Sequence, residues 1–145
     1  MPSKLSLQDR QELLFYAYKA FTSSPDAMLM KRGWSRSHHR IMHFIAREPG
    51  ITVSGVLEKL KISKQALHSP LKTLIQTNII FTQESSQDRR VKQLYLTEEG
   101  QKLENALSKP QLELLECAFK QCTKEDLIGW QHVLNAIIAA EKDTI

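Results

Sequence analysis

Residues 88–100 read Asp88-Arg89-Arg90-Val91-Lys92-Gln93-Leu94-Tyr95-Leu96-Thr97-Glu98-Glu99-Gly100. From Val91 to Leu96 the chain has strand periodicity, with Val91, Gln93 and Tyr95 on one face and Lys92, Leu94 and Leu96 on the other. Thr97 then stands where a helix cap belongs. Glu98 and Glu99 place acids in the first turn, where they complement the helix dipole. Upstream, Ile79 to Gln83 is a second strand-like run. Glu84-Ser85-Ser86-Gln87-Asp88 between the two is polar and turn-forming. The stretch predicts a β-hairpin with an open loop, two arginines at its tip and a helix leaving its far end.

Toward the N-terminus the pattern changes from strand to helix. Ser63 caps a helix over about 64–77, with Ala66, Leu67, Leu71, Leu74 and Ile75 inward. Lys61-Ile62 is a tight turn behind a helix over about 53–61, which is capped by Thr52 and faces inward with Val53, Val56, Leu57 and Leu60. Ile51 is a short extended residue. Pro49-Gly50 ends a helix running from about Ser35 to Arg47, whose apolar face is Ile41, Met42, Phe44 and Ile45. Residues 6–22 form a first helix, with Ser6 and Asp9 as a partial capping box and Leu13, Leu14, Ala17 and Phe21 at helical spacing. The segment 22–34 contains Ser23-Ser24-Pro25 and Arg32-Gly33 and reads as a loop or broken turn.

Beyond the hairpin, Pro110 lies inside a helical pattern and predicts a kink or a split near 109. Thr123 caps a last helix, with Asp126 three residues on. Its Leu127, Trp130, Val133, Leu134, Ile137 and Ile138 make a narrow seam suited to packing on another long helix.

Charge is segregated along the chain. Residues 31–94 hold twelve Lys or Arg against four Asp or Glu, a surplus of eight, while the remainder holds eight against twelve. A concentrated positive block is the footprint of a polyanionic partner. No apolar run is long enough to span a bilayer, and the N-terminus lacks a signal-peptide core, so a cytoplasmic location is expected. The two cysteines, Cys117 and Cys122, have neither metal-site nor C-x-x-C spacing and read as small buried hydrophobes. There is no G-x-S-x-G, phosphate-binding loop, dinucleotide fingerprint or H-E-x-x-H, so no enzyme chemistry and no cofactor are expected.

Helix, short turn, helix and hairpin together make a winged helix-turn-helix over 35–97. The fold class expected is mostly α with a small β-hairpin wing, in a single domain over 1–145. The helix at 64–77 turns Ser63, Lys64, Gln65, His68, Ser69, Lys72 and Thr73 away from its apolar face. That mixture suits base edges and phosphates in a major groove, and no acidic residue lies between Lys59 and Gln83 to repel them. Arg89 and Arg90 at the hairpin tip suit a narrow minor groove, with Asp88 placed to hold the Arg90 guanidinium. Ser35, Ser37, His38 and Arg40 lie near the start of a helix where DNA-backbone contact is plausible. Pro70, inside the reading helix, removes one backbone hydrogen bond. Which of His68, Ser69, Lys72 and Thr73 reach bases therefore stays open.

The stretch from Ile51 to Gly100 resembles the MarR (multiple antibiotic resistance regulator) family. The resemblance rests on Ile51-Thr52-Val53, Val56-Leu57, Ile62-Ser63-Lys64-Gln65-Ala66-Leu67, Leu71-Lys72-Thr73-Leu74 and Ile79-Ile80. Most specific are Asp88-Arg89-Arg90 and Leu94-Tyr95-Leu96-Thr97-Glu98-Glu99-Gly100. Asn78 stands where the family often has glycine, and Asn tolerates the left-handed conformation a helix end needs. The resemblance implies a homodimer, with dimerisation helices over 1–22 and 101–145, a minor-groove role for Arg90 oriented by Asp88, and a major-groove role for the helix at 64–77.

It also implies a small aromatic or phenolic ligand, for which Tyr16, Phe21, Met28, Met30, Trp34 and Phe44 are candidate lining residues or plain core. His39 and His43, at i and i+4, have a spacing that can bind zinc, but no Asp, Glu or Cys stands near them in sequence, and no metal is expected. The reading is a sequence-specific double-stranded DNA-binding transcriptional regulator, a homodimeric repressor responsive to a small molecule. The alternatives are a metal- or redox-sensing regulator and a winged-helix module for protein–protein contact.

Overall fold

A computed structural model describes residues 4–141; positions 1–3 and 142–145, which complete the expected segments at either end, lie outside it. In chain order the elements are α1 (Leu7–Lys31), α2 (Arg36–Arg47), α3 (Val53–Leu60), α4 (Lys64–Gln76), β1 (Ile80–Glu84), β2 (Lys92–Leu96), α5 (Glu98–Phe119) and α6 (Lys124–Ala140). The expected fold class holds: a winged helix-turn-helix flanked by long helices.

Local chemistry sets most of these boundaries. Ser6, Thr52, Ser63, Thr97 and Thr123 each accept a backbone N–H three residues on, which satisfies a donor the helix cannot satisfy itself. Ser6–Asp9 and Thr123–Asp126 are full capping boxes. Lys61 (φ 54°) and Asn78 (φ 62°) adopt the left-handed conformation that turns the chain after α3 and α4.

The core is centred on the lobe from α2 to β2, with Leu29 of α1 and Leu107 of α5 completing it. Ile41, Met42 and Ile45 of α2 meet Val56 of α3, Leu67, Leu71 and Leu74 of α4, and Ile79, Ile80 and Leu94 of the hairpin region. Ala66 and Ile75, expected inward, are exposed, because α4 covers only one stripe of the core. The hairpin pairs antiparallel from Ile80↔Leu96 to Glu84↔Lys92. The other edge of β2 is bonded to the segment before α3: Gly50 N–H donates to the Leu94 carbonyl (2.9 Å) and Leu94 N–H to that of Ile51 (2.8 Å). The wing is thereby anchored to the helices it flanks.

Where the hairpin meets α5, Thr97 Oγ1 donates to the Asn78 carbonyl (2.7 Å) and accepts from Gly100 N–H (2.9 Å). A β-carbon on Gly100 would lie 2.1 Å from the Ile79 carbonyl oxygen, so no side chain fits there. The Leu96-Thr97-Glu98-Glu99-Gly100 pattern is thus a packed joint.

Three expectations fail. The segment 22–34 is no loop: α1 runs on to Lys31, through Pro25. Proline has no N–H, so the Phe21 carbonyl loses its helical partner. Gln111 Nε2 of α5 donates to that oxygen instead (3.2 Å). Of the kink or split expected at Pro110, the split does not occur, since α5 is continuous from Glu98 to Phe119. Cys117 and Cys122 are exposed rather than buried. No helix among the described residues is long and apolar enough to cross a membrane.

Candidate nucleic-acid interface

The exposed face of α4 carries Lys64, Gln65, His68, Ser69 and Lys72. Ser63 is occupied as the cap, accepting from Ala66 N–H at 3.1 Å. Thr73 is half-buried, and its hydroxyl donates to the Ser69 carbonyl (3.1 Å). Pro70 leaves the helix assignment unbroken to Gln76. The five exposed side chains carry no carboxylate, and their face is suited to an anionic groove.

At the wing, the Arg90 side chain is 91% exposed. Asp88 Oδ1 accepts from Arg90 N–H (3.0 Å) and Nε (3.2 Å), and its Oδ2 from Nη2 (3.4 Å). These bonds hold the Asp88 carboxyl below its usual range, the backbone bond most strongly. The guanidinium is therefore oriented without being covered. Arg89 is exposed beside it.

The start of α2 is busier than the sequence suggested. Ser35 is the N-cap, and its N–H donates to His38 Nδ1 (3.0 Å), which requires that nitrogen to be unprotonated. His38 stacks on Trp34 with ring centroids 5.3 Å apart. Partial burial pushes its ionisation below the ordinary imidazole value. Arg40 Nη2 donates to the Tyr18 hydroxyl (2.6 Å), and Ser37 is half-buried. Of this set, His38 and Arg40 have intramolecular work irrespective of any DNA.

Between α1, α2, the end of α3 and α5 lies a cavity of about 430 Å³, lined among others by Phe21, Phe44, Arg36, Arg40, Lys59 and Gln111. Of the expected lining residues, the structure places Phe21 and Phe44 here. Tyr16 projects from α1 and is exposed, while Met30 and Trp34 line a separate hollow beside Ser35. Arg36 is neutralised by Asp26, with Nη2–Oδ2 at 2.7 Å, and that pairing lowers the Asp26 carboxyl. Arg40 has only a neutral phenol, so the wall carries net positive charge.

The two histidines at i and i+4 differ in their surroundings, and His39 is tied to α5. His39 Nε2 faces Ser108 Oγ (3.1 Å) and Glu104 Oε2 (3.4 Å), both on α5, and Ser108 donates to Glu104. Burial raises the Glu104 carboxyl, but the bonds from His39 and Ser108 outweigh it, so it sits below its ordinary range. Among the described residues no cluster of three or more His, Cys, Asp or Glu is placed to hold a metal. Glu104, Ser108, Tyr18 and Gln111 escaped the sequence reading because their partners are distant in the chain. Burial singles out Glu104 and Ser108, whereas Tyr18 and Gln111 are found only through their bonds to Arg40 and to the Phe21 carbonyl.

The MarR family model matches residues 32–91. The chain is similar to the HTH-type transcriptional regulator PetP of Rhodobacter capsulatus, with 37% identity over 127 residues, covering 88% of this chain and 76% of that protein. In fold it resembles FabT of Streptococcus pneumoniae, solved in complex with DNA (TM-score 0.75, 21% identity, 92% of this chain and 96% of that one). It also resembles the PcaV transcriptional regulator of Streptomyces coelicolor, solved with its natural ligand (TM-score 0.71, 13% identity, 97% and 99%).

Proposed function

The chain belongs to the MarR family of DNA-binding transcriptional regulators, and from that premise we propose that it is a cytoplasmic homodimeric repressor released by a small molecule. It acts by binding rather than by catalysis. The observation that carries the DNA-binding reading is the wing tip: Arg90 is fully presented to solvent yet aimed by Asp88. In this reading 35–97 is the DNA-binding lobe, and 1–22 and 101–145 carry dimerisation. Lys64, Gln65, His68, Ser69 and Lys72 enter the major groove, with Ser63 and Thr73 at its edge. Arg89 and Arg90 enter the minor groove, and Ser35, Ser37, His38 and Arg40 lie along the backbone. A two-fold dimer places its half-sites about one helical turn apart.

Support for dimerisation comes from apolar side chains that nothing among the described residues covers. They include Leu13, Leu14 and Phe15 on α1 and Val133, Ile137 and Ile138 on α6. Support for the effector comes from the cavity, whose Phe21 and Phe44 offer aromatic contact and whose Arg40 offers charge to a small aromatic or phenolic molecule. It lies where α1 and α5 meet the lobe, so its filling would bear on their relative placement.

The test is binding to DNA upstream of the protein's own gene across a salt series, for wild type and Arg90→Ala. A steep negative salt slope is expected. Arg90→Ala weakens binding roughly ten- to a hundred-fold if the wing enters the groove. A flat salt response, or a mutant that binds as wild type does, overturns the assignment.

A further inference from the structure

Three side chains of α2 tie the lobe to the helices outside it. Arg36 pairs with Asp26 and Arg40 donates to Tyr18, both on α1. These links are exposed and water can replace them. The third, His39, is buried and reaches α5, where Glu104 and Ser108 are also buried. Ser108 gives its only hydroxyl proton to Glu104. Its oxygen can then only accept, so His39 Nε2 must carry the proton in the bond between them. Donors and acceptors therefore run in one order, from imidazole to hydroxyl to carboxylate.

Such a network does what the surrounding apolar contacts cannot. Leu107 of α5 and Ile41 of α2 are buried beside it, and apolar packing alone is non-directional. If α2 rotated or slid on α5, a dry carboxylate and imidazole would be left without partners, which a low-dielectric interior penalises heavily. No buried side-chain nitrogen or oxygen among the described residues lacks a hydrogen-bond partner, so the present angle satisfies the whole cluster.

We propose that His39, Ser108 and Glu104 are positioning residues for DNA recognition: they fix the angle of the lobe on α5, and hence the separation of the two recognition helices in the dimer. This rests on the dimeric DNA-binding reading above.

The experiment uses duplexes selected from a random pool by the full-length wild-type protein, remade with the half-site spacing changed by one and by two base pairs. The key variant is His39→Leu/Ser108→Ala/Glu104→Leu. Replacing a buried ionic cluster with apolar residues commonly leaves stability intact. Wild type should discriminate the selected spacing from the altered ones by roughly tenfold or more, a loss comparable to a mismatched base pair. The triple variant should remain folded and dimeric, bind an isolated half-site as wild type does, and discriminate spacing less than about threefold. A merely structural role would lower affinity for every spacing alike, and that result overturns the proposal. So does a triple variant with wild-type discrimination, which leaves the dimeric reading standing. A wild type that ignores spacing overturns both. Should the triple variant not fold, Ser108→Ala alone carries the same comparison, with roughly half the discrimination lost on a logarithmic scale.

Discussion

The outer helices α1 and α6 are richer in apolar residues than the lobe from α2 to β2, yet they bury far fewer of them. In the lobe, Ile41, Met42, Leu74, Ile79 and Leu94 are essentially inaccessible. In α6 no residue is buried, and Val133 and Ile138 are more than half exposed. The lobe holds most of a core that Leu29 of α1 and Leu107 of α5 complete, whereas the outer helices leave an apolar seam exposed, which the dimer proposed above would cover. A reading head and an assembly handle therefore make separate demands on the same chain, and α2 and α5 are where they are joined.

The largest effect should come from breaking the handle. In the two-fold dimer proposed above, Val133→Asp with Ile137→Asp would place four carboxylates in the apolar interface, each costing several kcal/mol unless it stays hydrated. Sedimentation should show monomer, with the lobe's thermal transition retained. A dimer that survives both substitutions would mean α6 is not the seam.

Next in size is a break inside the head. Gly100→Val drives a side chain into the Ile79 carbonyl, at the joint between hairpin and α5. The expected destabilisation is about 3 kcal/mol in chemical denaturation. Wild-type stability in this variant would show that the joint can open freely.

A smaller effect tests the seam between the two regions. Gln111→Ala leaves the Phe21 carbonyl without the partner that compensates for Pro25. A loss of about 1–2 kcal/mol is expected. Restoring the helical N–H with Pro25→Ala in the same chain should recover most of it.

The smallest is a pH effect at the start of α2. His38 accepts the Ser35 N–H only when neutral, and its ionisation is depressed from the ordinary 6.5. Its contribution is therefore present above pH 6.5 and is lost as pH falls below it. His38→Ala should cost about 0.5–1 kcal/mol at pH 7.5, in the range of a lost cap. The gap in melting temperature between variant and wild type should then close toward pH 5. An unchanged gap would sink the neutral-cap account.

How much of this was legible depends on chain distance. The caps Thr52, Ser63, Thr97 and Thr123 were readable because a cap and its acceptor site lie three residues apart. Asn78 was readable as a left-handed residue for the same local reason. Pro25 was misread as a helix breaker because the group that rescues its helix, Gln111, bonds a residue ninety positions away. The lining of the cavity was not legible locally: of the candidates Phe21 and Phe44 line it, whereas Tyr16 on α1 is exposed.

By itself the sequence determined the winged element, its basic surplus and the Asp88–Arg90 tip, because alternation, turn chemistry, capping and charge are properties of neighbouring residues. Only the tertiary structure decided that α1 is continuous through Pro25 and that His39 meets Glu104 and Ser108. It alone showed that Gly100 is required by the backbone of Ile79. Each of these depends on which freed carbonyl, buried imidazole or close backbone a distant residue happens to meet, and no local pattern encodes that meeting.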